Sequence, residues 1–285
     1  MNKNIIVVGG SGQLGQCLNE VVSASVQAYN FVFLSRAELD LVNTAQTKEV
    51  FEKYLPVYCI NCSAYTAVDL AEEDAAKAFE VNETAVKNLA HICLSHQTTL
   101  IHISTDFVFD GTSSTPLTED LPTSPVNVYG LSKLKGEEHI EEILEQYYII
   151  RTSWLYSEKA NNFVKTMLKL SESRSELNVI YDQLGTPTYA MDLAEVIIKI
   201  IHEELKFYGL YHYSNEGVAS WYDFAKAVFE IAGVGMKVNP VVSTAFVTKA
   251  KRPHFSVLDK SKIKASFHIE IPYWRESLNR CVQNL

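Results

Sequence analysis

The first half of the chain alternates short, unbroken apolar runs with longer stretches that are apolar on one side only. The runs fall at 5–8, 31–34, 57–60, 99–103 and 148–150. Between them, 13–24, 44–54, 74–95 and 129–146 carry helical periodicity. Within 74–95, Ala78, Val81, Val86, Leu89 and Ile92 fall near one helical face. Strands apolar throughout and separated by helices predict a parallel sheet covered on both sides, the doubly wound α/β pattern. After Arg151 the rhythm changes. Helices are predicted around 163–173, 191–205, 221–232 and 272–283, with strand-like pieces at 177–181, 209–213 and 238–242. Residues 1–152 therefore read as a Rossmann-type domain, with about 186–206 packing back on it. Residues 153–285 read mainly as a smaller C-terminal lobe. A ligand cleft is expected between the two, outside the carboxyl ends of the strands.

The turn after the first run is Gly9-Gly10-Ser11-Gly12-Gln13-Leu14-Gly15, directly before the first helix. Glycines let a backbone come close to a pyrophosphate, and the helix N-terminus adds amide donors and a positive dipole. Dinucleotide binding is the expectation. At the end of the second run stands Leu34-Ser35-Arg36 rather than an acidic residue. A hydroxyl and a guanidinium suit the 2′-phosphate of NADPH better than the ribose hydroxyl of NADH, which stays the alternative.

Tyr129 and Lys133 lie four residues apart on a predicted helix and so share a face. An ammonium there favours the phenolate and makes tyrosine a usable proton donor or acceptor. In a chain with 15 tyrosines the spacing arises about once by chance. Tyr222 and Lys226 also match it, but within a stretch that reads as an amphipathic surface helix, aromatic in and lysine out.

Composition narrows the field. Hydrophobic residues at 47% and charged residues at 21% are ordinary for a globular protein. A net charge of −9 argues against nucleic acid as a partner. The apolar runs are too short to span a membrane, and the chain enters a strand pattern from Met1 without a signal-peptide core. A cytoplasmic setting is expected. Five cysteines suggest no disulfide framework, and strand alternation sends Cys59 and Cys62 to opposite faces.

An ordered set of motifs carries a specific resemblance. It runs from Gly12-Gln13-Leu14-Gly15 through Ala64-Tyr65-Thr66-Ala67-Val68-Asp69, Ser104-Thr105-Asp106-Phe107-Val108-Phe109-Asp110-Gly111 and Asn127-Val128-Tyr129-Gly130-x-x-Lys133. It continues with Arg151-Thr152-Ser153-Trp154-Leu155-Tyr156, Asn161-Asn162-Phe163, Asp182-Gln183-x-Gly185-x-Pro187-Thr188 and Arg252-Pro253. Spread over nearly the whole chain, the set resembles the dTDP-4-dehydrorhamnose reductases, a family of extended short-chain dehydrogenases/reductases. The resemblance implies NAD(P)H-dependent reduction of the 4-keto group of a dTDP-linked 4-keto-6-deoxysugar, and a C-terminal lobe that binds that substrate. It implies Tyr129 as proton donor, Lys133 as the group that lowers the tyrosine pKa and holds the nicotinamide ribose, and Thr105 as the residue polarising the carbonyl. Gly9, Gly12, Gln13 and Leu14 would meet the cofactor pyrophosphate. Ser35 and Arg36 would meet its 2′ position, Asp40 and Leu41 its adenine, and Ala64, Tyr65 and Thr66 its middle. Val68, Asp69, Asp106 and Trp154 would border the sugar, with Asn162, Lys165, Gln183 and Arg252 toward the nucleotide diphosphate. No metal is assigned, and a homodimer is the assembly considered. Phe107 and His254-Phe255-Ser256 depart from the family pattern. Two alternatives stand beside the reductase: a non-catalytic NADP-binding subunit, and an enzyme that reduces or epimerises another nucleotide-linked 4-keto sugar.

Overall fold

The computed structural model describes residues 3–24 and 28–285. Met1 and Asn2, part of the N-terminal stretch read above, lie outside them. Six strands form the main sheet: β1 (Lys3–Val8), β2 (Tyr29–Leu34), β3 (Tyr58–Asn61), β4 (Thr99–Thr105), β5 (Tyr147–Thr152) and β6 (Gly209–His212). Every neighbouring pair is parallel and the order is 2-1-3-4-5-6. Alternate side chains go to opposite faces, as strand geometry requires. Ile5, Ile60, Ile101 and Ile150 pack with Leu18, Leu193 and Ile197, so the helices Gln13–Ser23 and Ala190–Glu203 cover that face. Ile6, Cys59, Leu100 and Ile149 meet Phe51, Leu89 and Ile140 on the other, under Thr44–Tyr54, Ala85–His96 and Val128–Ile143.

Three local differences from the sequence reading matter. The main sheet takes its last strand from far beyond residue 152, because β6 pairs with β5 from Gly209 to His212. The helix expected at 74–95 is three pieces: Ala75–Phe79, a π-helical turn at Glu80–Thr84, and Ala85–His96. Strand β4 runs through Thr105 instead of stopping at 103. The cysteine reading holds: Cys59 is buried in one cluster, Cys62 packs against the other, and all five cysteines are free.

A third apolar cluster gathers Met167, Val179, Phe224, Val228, Trp274 and Leu278 from the second half of the chain. Strand order reverses between β1 and β3. A doubly wound sheet opens a crevice there, at the carboxyl ends of its strands.

Candidate active site

The glycine turn lies in that crevice. The backbone of Gly15, in the first turn of Gln13–Ser23, passes over the turn itself. A Cβ on it would sit 2.7 Å from Gly10 Cα and would overlap Gly9 O, so only glycine permits the approach. The helix starts at Gly12 with no side-chain cap and no acidic residue in its first turn. Its leading amides and dipole are thus left for an anion. Gln13 turns away from the turn: its Nε2 donates to Leu155 O (3.1 Å), and its Oε1 accepts from Asn162 Nδ2 (2.9 Å).

Ser35 and Arg36 follow β2, as expected, but each already has a partner. Glu38 accepts from Ser35 N (2.9 Å) and Ser35 Oγ (2.7 Å), which holds the Glu38 carboxyl below its ordinary range. Arg36 sits 3.4 Å from Asp40 and is largely exposed, so this ion pair is weak and readily opened. Leu41 is buried in the second apolar cluster.

Ala64, Tyr65 and Thr66 follow β3. Asn82, in the π-helical turn, clamps this loop: Tyr65 N donates to Oδ1 (2.8 Å) and Nδ2 donates to Tyr65 O (3.0 Å). Nδ2 also reaches Ser132 Oγ (3.0 Å), whose hydroxyl bonds Tyr129 O (2.8 Å). The extra residue of a π-turn rotates Asn82 inward, where a regular helix would hold it on another face.

Tyr129 and Lys133 stand on Val128–Ile143, capped by Asn127, whose side chain accepts from Gly130 N (2.7 Å). A Cβ on Gly130 would overlap Phe107 O, so this glycine lets the helix rest on the Thr105–Val108 turn. Tyr129 is thereby brought beside Thr105, with the Phe107 ring edge-on at 5.7 Å. Burial pushes the Tyr129 hydroxyl up to about 12; Thr105 beside it pulls the other way and the Asp106 charge adds to the rise. Asp106 is buried, and that burial raises its carboxyl to about 6 against the help of Ser256 and Thr105. Its Oδ1 accepts from Thr105 Oγ1 (3.1 Å), and its Oδ2 has no partner.

Lys133 shares the helix face of Tyr129, and its Nζ donates to Ile103 O (2.7 Å) and lies 3.1 Å from His102 Nε2. Burial lowers the Lys133 pKa to about 8, with Glu137 and Cys62 opposing the fall. His102 and Ile103, near the end of β4, lie beside the helix and offer the lysine these interior partners.

The second half of the chain supplies a cavity of about 700 Å³ lined by Phe163, Met167, Gln183, Trp221 and Arg252 among others. Val68 and Asp69 begin the short helix Val68–Ala71 at its edge. Asp69 and Arg252 are brought together: Arg252 Nη2 donates to Asp69 Oδ2 (2.6 Å), which holds the Asp69 carboxyl below its ordinary range. Trp154 stacks on Trp221 at 3.6 Å, its backbone in the left-handed region at φ 47°. Asn162 is not among the lining residues. Its Oδ1 caps Phe163–Ser171 and its Nδ2 donates to Ser157 O (2.6 Å) and to Gln13. Lys165 Nζ donates to Glu158 O (3.1 Å). The rival pair separates as expected in part: Lys226 is exposed, while Tyr222 is only half-buried at the edge of the third cluster.

Three residues escaped the sequence reading. Asn82 could have been flagged as a polar residue within a helix's apolar stretch. His102 interrupts an apolar strand. Trp221 follows Ser220, which forms a capping box with Asp223 and so marks a helix start.

Comparison with known proteins bears on all of this. A family model described as the RmlD substrate binding domain matches residues 3–285. The chain is 39% identical to the dTDP-4-dehydrorhamnose reductase of Aggregatibacter actinomycetemcomitans over 96% of both chains. It is 32% identical to the dTDP-4-keto-6-deoxy-D-glucose reductase of Streptomyces niveus, over 98% of this chain and 96% of the other. The solved dTDP-4-dehydrorhamnose reductase of Bacillus anthracis strain Ames, in complex with NADP, superposes over 100% of each chain with TM-score 0.95 at 36% identity. Glycine turn, Tyr129 helix and C-terminal cavity thus occur in one chain matched end to end, and this chain belongs to the RmlD substrate-binding-domain family.

Proposed function

We propose that this protein uses NADPH to reduce the 4-keto group of dTDP-4-dehydro-β-L-rhamnose to dTDP-L-rhamnose, a nucleotide sugar for cell-surface polysaccharide. The observation that carries the reading is the meeting of Thr105, Tyr129 and Lys133 at the carboxyl end of β4, beside an uncapped glycine turn. The close-packed Gly9–Gly15 cradle fits a pyrophosphate, with Gly9, Gly12 and Leu14 around it, Ser35 and Arg36 at the 2′ position and Ala64–Thr66 along its middle. When bound, NADPH supplies a hydride. Hydride arrival at C4 leaves an alkoxide, which needs a proton and fixed hydrogen-bond donors.

Tyr129 gives that proton from its hydroxyl. A hydroxyl raised to about 12 is fully protonated at neutral pH, the state an acid requires. Thr105 donates its hydroxyl hydrogen to Asp106 Oδ1 and accepts from Phe107 N (3.2 Å); turned instead toward the sugar, that one hydrogen would polarise the C4 carbonyl. The Trp154–Trp221 stack offers an apolar wall to a deoxysugar. Gln183 and Arg252 face the cavity where the nucleotide diphosphate would lie; Arg252 gives two of its five donors to Asp69 and one to Ala250 O (3.3 Å), which leaves two. No helix among the described residues is long and apolar enough to cross a membrane. A cytoplasmic setting and a homodimer belong to the same proposal, and light scattering of the purified protein reads the second.

The Streptomyces niveus relative favours one competing reading, reduction of a different dTDP-linked 4-keto sugar. One assay separates them. Purified protein mixed with dTDP-4-dehydrorhamnose and NADPH should oxidise one NADPH per sugar and yield the L-rhamno product. Absence of NADPH consumption contradicts the proposal, and consumption only when dTDP-4-keto-6-deoxy-D-glucose replaces that sugar selects the competitor.

A further inference from the structure

This inference rests on the placement of Lys133 in the reducing site. Asn61, the last residue of β3, accepts at Oδ1 from Ser63 N (3.0 Å) and Ser63 Oγ (2.7 Å). A backbone N–H only donates, so this end of the amide is the carbonyl. Asn61 Nδ2 therefore donates to His102 Nδ1 across 3.1 Å. Nδ1 is then unprotonated, and a neutral imidazole carries its single hydrogen on Nε2. His102 is fully buried, and burial together with nearby Lys133 keeps its pKa well below that of an ordinary histidine.

His102 Nε2–H points at Lys133 Nζ, 3.1 Å away. The two nitrogens bond only when Lys133 is an amine, whose lone pair accepts while an N–H donates to Ile103 O. An ammonium would face a donor. Moving the imidazole hydrogen to Nδ1 sends the clash to Asn61 Nδ2, and turning Asn61 sends it to Ser63 N–H. For a charged Lys133 the chain of four residues holds one hydrogen too many, wherever it is put.

We propose that Asn61 and His102 are positioning residues that bias Lys133 toward the neutral amine in the unliganded protein. The other titratable groups near Lys133 are Cys62 beyond β3 and, on its own helix, Tyr129 and Glu137; Glu137 is committed to Arg151 at 2.6 Å. None of them removes the surplus hydrogen. Burial shifts the Lys133 pKa in the same direction, to about 8, so the amine predominates above that pH.

Two measurements on the full chain test the proposal. With ¹⁵N-histidine labelling, long-range ¹H–¹⁵N spectra at pH 9, above the lowered Lys133 pKa, should show one buried histidine as the Nε2–H tautomer, identified by its loss in His102→Gln. An Nδ1–H tautomer or an imidazolium there overturns the proposal. The pH profile of NADPH-dependent turnover is the second readout. His102→Gln offers Lys133 a carbonyl acceptor, and Asn61→Leu frees Nδ1 to take the hydrogen so that Nε2 accepts. Either change lets the ammonium persist, so the alkaline limb should rise by about one pH unit or more. Folded variants that keep the wild-type limb overturn the proposal. Should His102→Gln not fold, Asn61→Leu carries both measurements, its histidine signal gaining the Nδ1 hydrogen. A wild-type protein that consumes no NADPH counts against the reductase reading, while the tautomer still decides this one.

Discussion

Replacing Gly130 with alanine tests how the catalytic helix is seated. At an ordinary interior helical position, glycine to alanine stabilises by about 1 kcal/mol through backbone entropy. Here the new Cβ would overlap Phe107 O and lie 2.9 Å from Phe107 C and 3.2 Å from Pro125 Cβ. Ordinary contact begins near 3.4 Å, so clearing the carbonyl carbon alone asks for about 0.5 Å, and the oxygen asks for more. Both neighbours are fixed: Phe107 N is tied to Thr105, and Phe109 N to Asp106 O (3.1 Å). The helix must lift. Overpacking of this kind costs roughly 1–3 kcal/mol, which offsets and exceeds the propensity gain. A net loss of up to about 2 kcal/mol lowers Tm by up to roughly 8 °C in a chain of this size. Tyr129, the adjacent residue, moves with the helix, and a displacement approaching 1 Å lowers turnover by about 10- to 100-fold. Thermal unfolding and steady-state NADPH oxidation measure the two effects. Gly235→Ala is the control, since nothing lies within 4 Å of its added Cβ. A Gly130→Ala protein as stable and as active as wild type would refute the seating argument.

Four further outcomes are expected. Tyr129→Phe should lower kcat by about 100- to 10,000-fold while NADPH binding, followed by fluorescence, stays near wild type; a nearly normal rate removes Tyr129 as the acid. Arg36→Ala should weaken NADPH more than NADH in titration calorimetry, and equal weakening overturns the 2′-phosphate assignment. Arg151→Met leaves Glu137 buried without its partner, and denaturant unfolding should report a loss of about 3–5 kcal/mol. Asp106 has its pKa raised by burial from 3.8 to about 6, so its ionisation costs stability as pH rises through that interval. Asp106→Asn should therefore exceed wild type by about 1–3 kcal/mol at pH 8 and lose the advantage by pH 4; a gap independent of pH contradicts the assignment.

How far the sequence carries depends on which physical signal each part emits. Parallel strands buried on both faces announce themselves as unbroken apolar runs, and β1, β3 and β4 appeared that way. The glycine turn announced itself because Gly15 can be nothing larger where the backbone crosses it. Strand β6 emits the same apolar signal, but only pairing with β5 decides which sheet it joins, and that is set by tertiary packing. The π-turn at Glu80–Thr84 inserts a residue without altering composition, so the apolar face of 74–95 reads as one helix. Asn82 was hidden with it. Lys133 shows a different limit. Spacing placed it on the Tyr129 face, but its partner His102 comes from a strand 31 residues earlier. Asn162 and Gln13 bond to one another across 149 residues. Motif order put Gln13 at the cofactor pyrophosphate and Asn162 toward the nucleotide diphosphate, and contact alone says that they also hold the two halves of the site together.

The central claim is delivery of hydride to C4 with Tyr129 as the acid. Its most direct test supplies NADPH deuterated at the nicotinamide C4 position, in each of its two stereoisomers, and locates the label in the product sugar by NMR. One isomer should place a single deuterium on C4 of dTDP-L-rhamnose, and Tyr129→Phe should abolish that transfer. Deuterium on another carbon, or none with either isomer, would contradict the account.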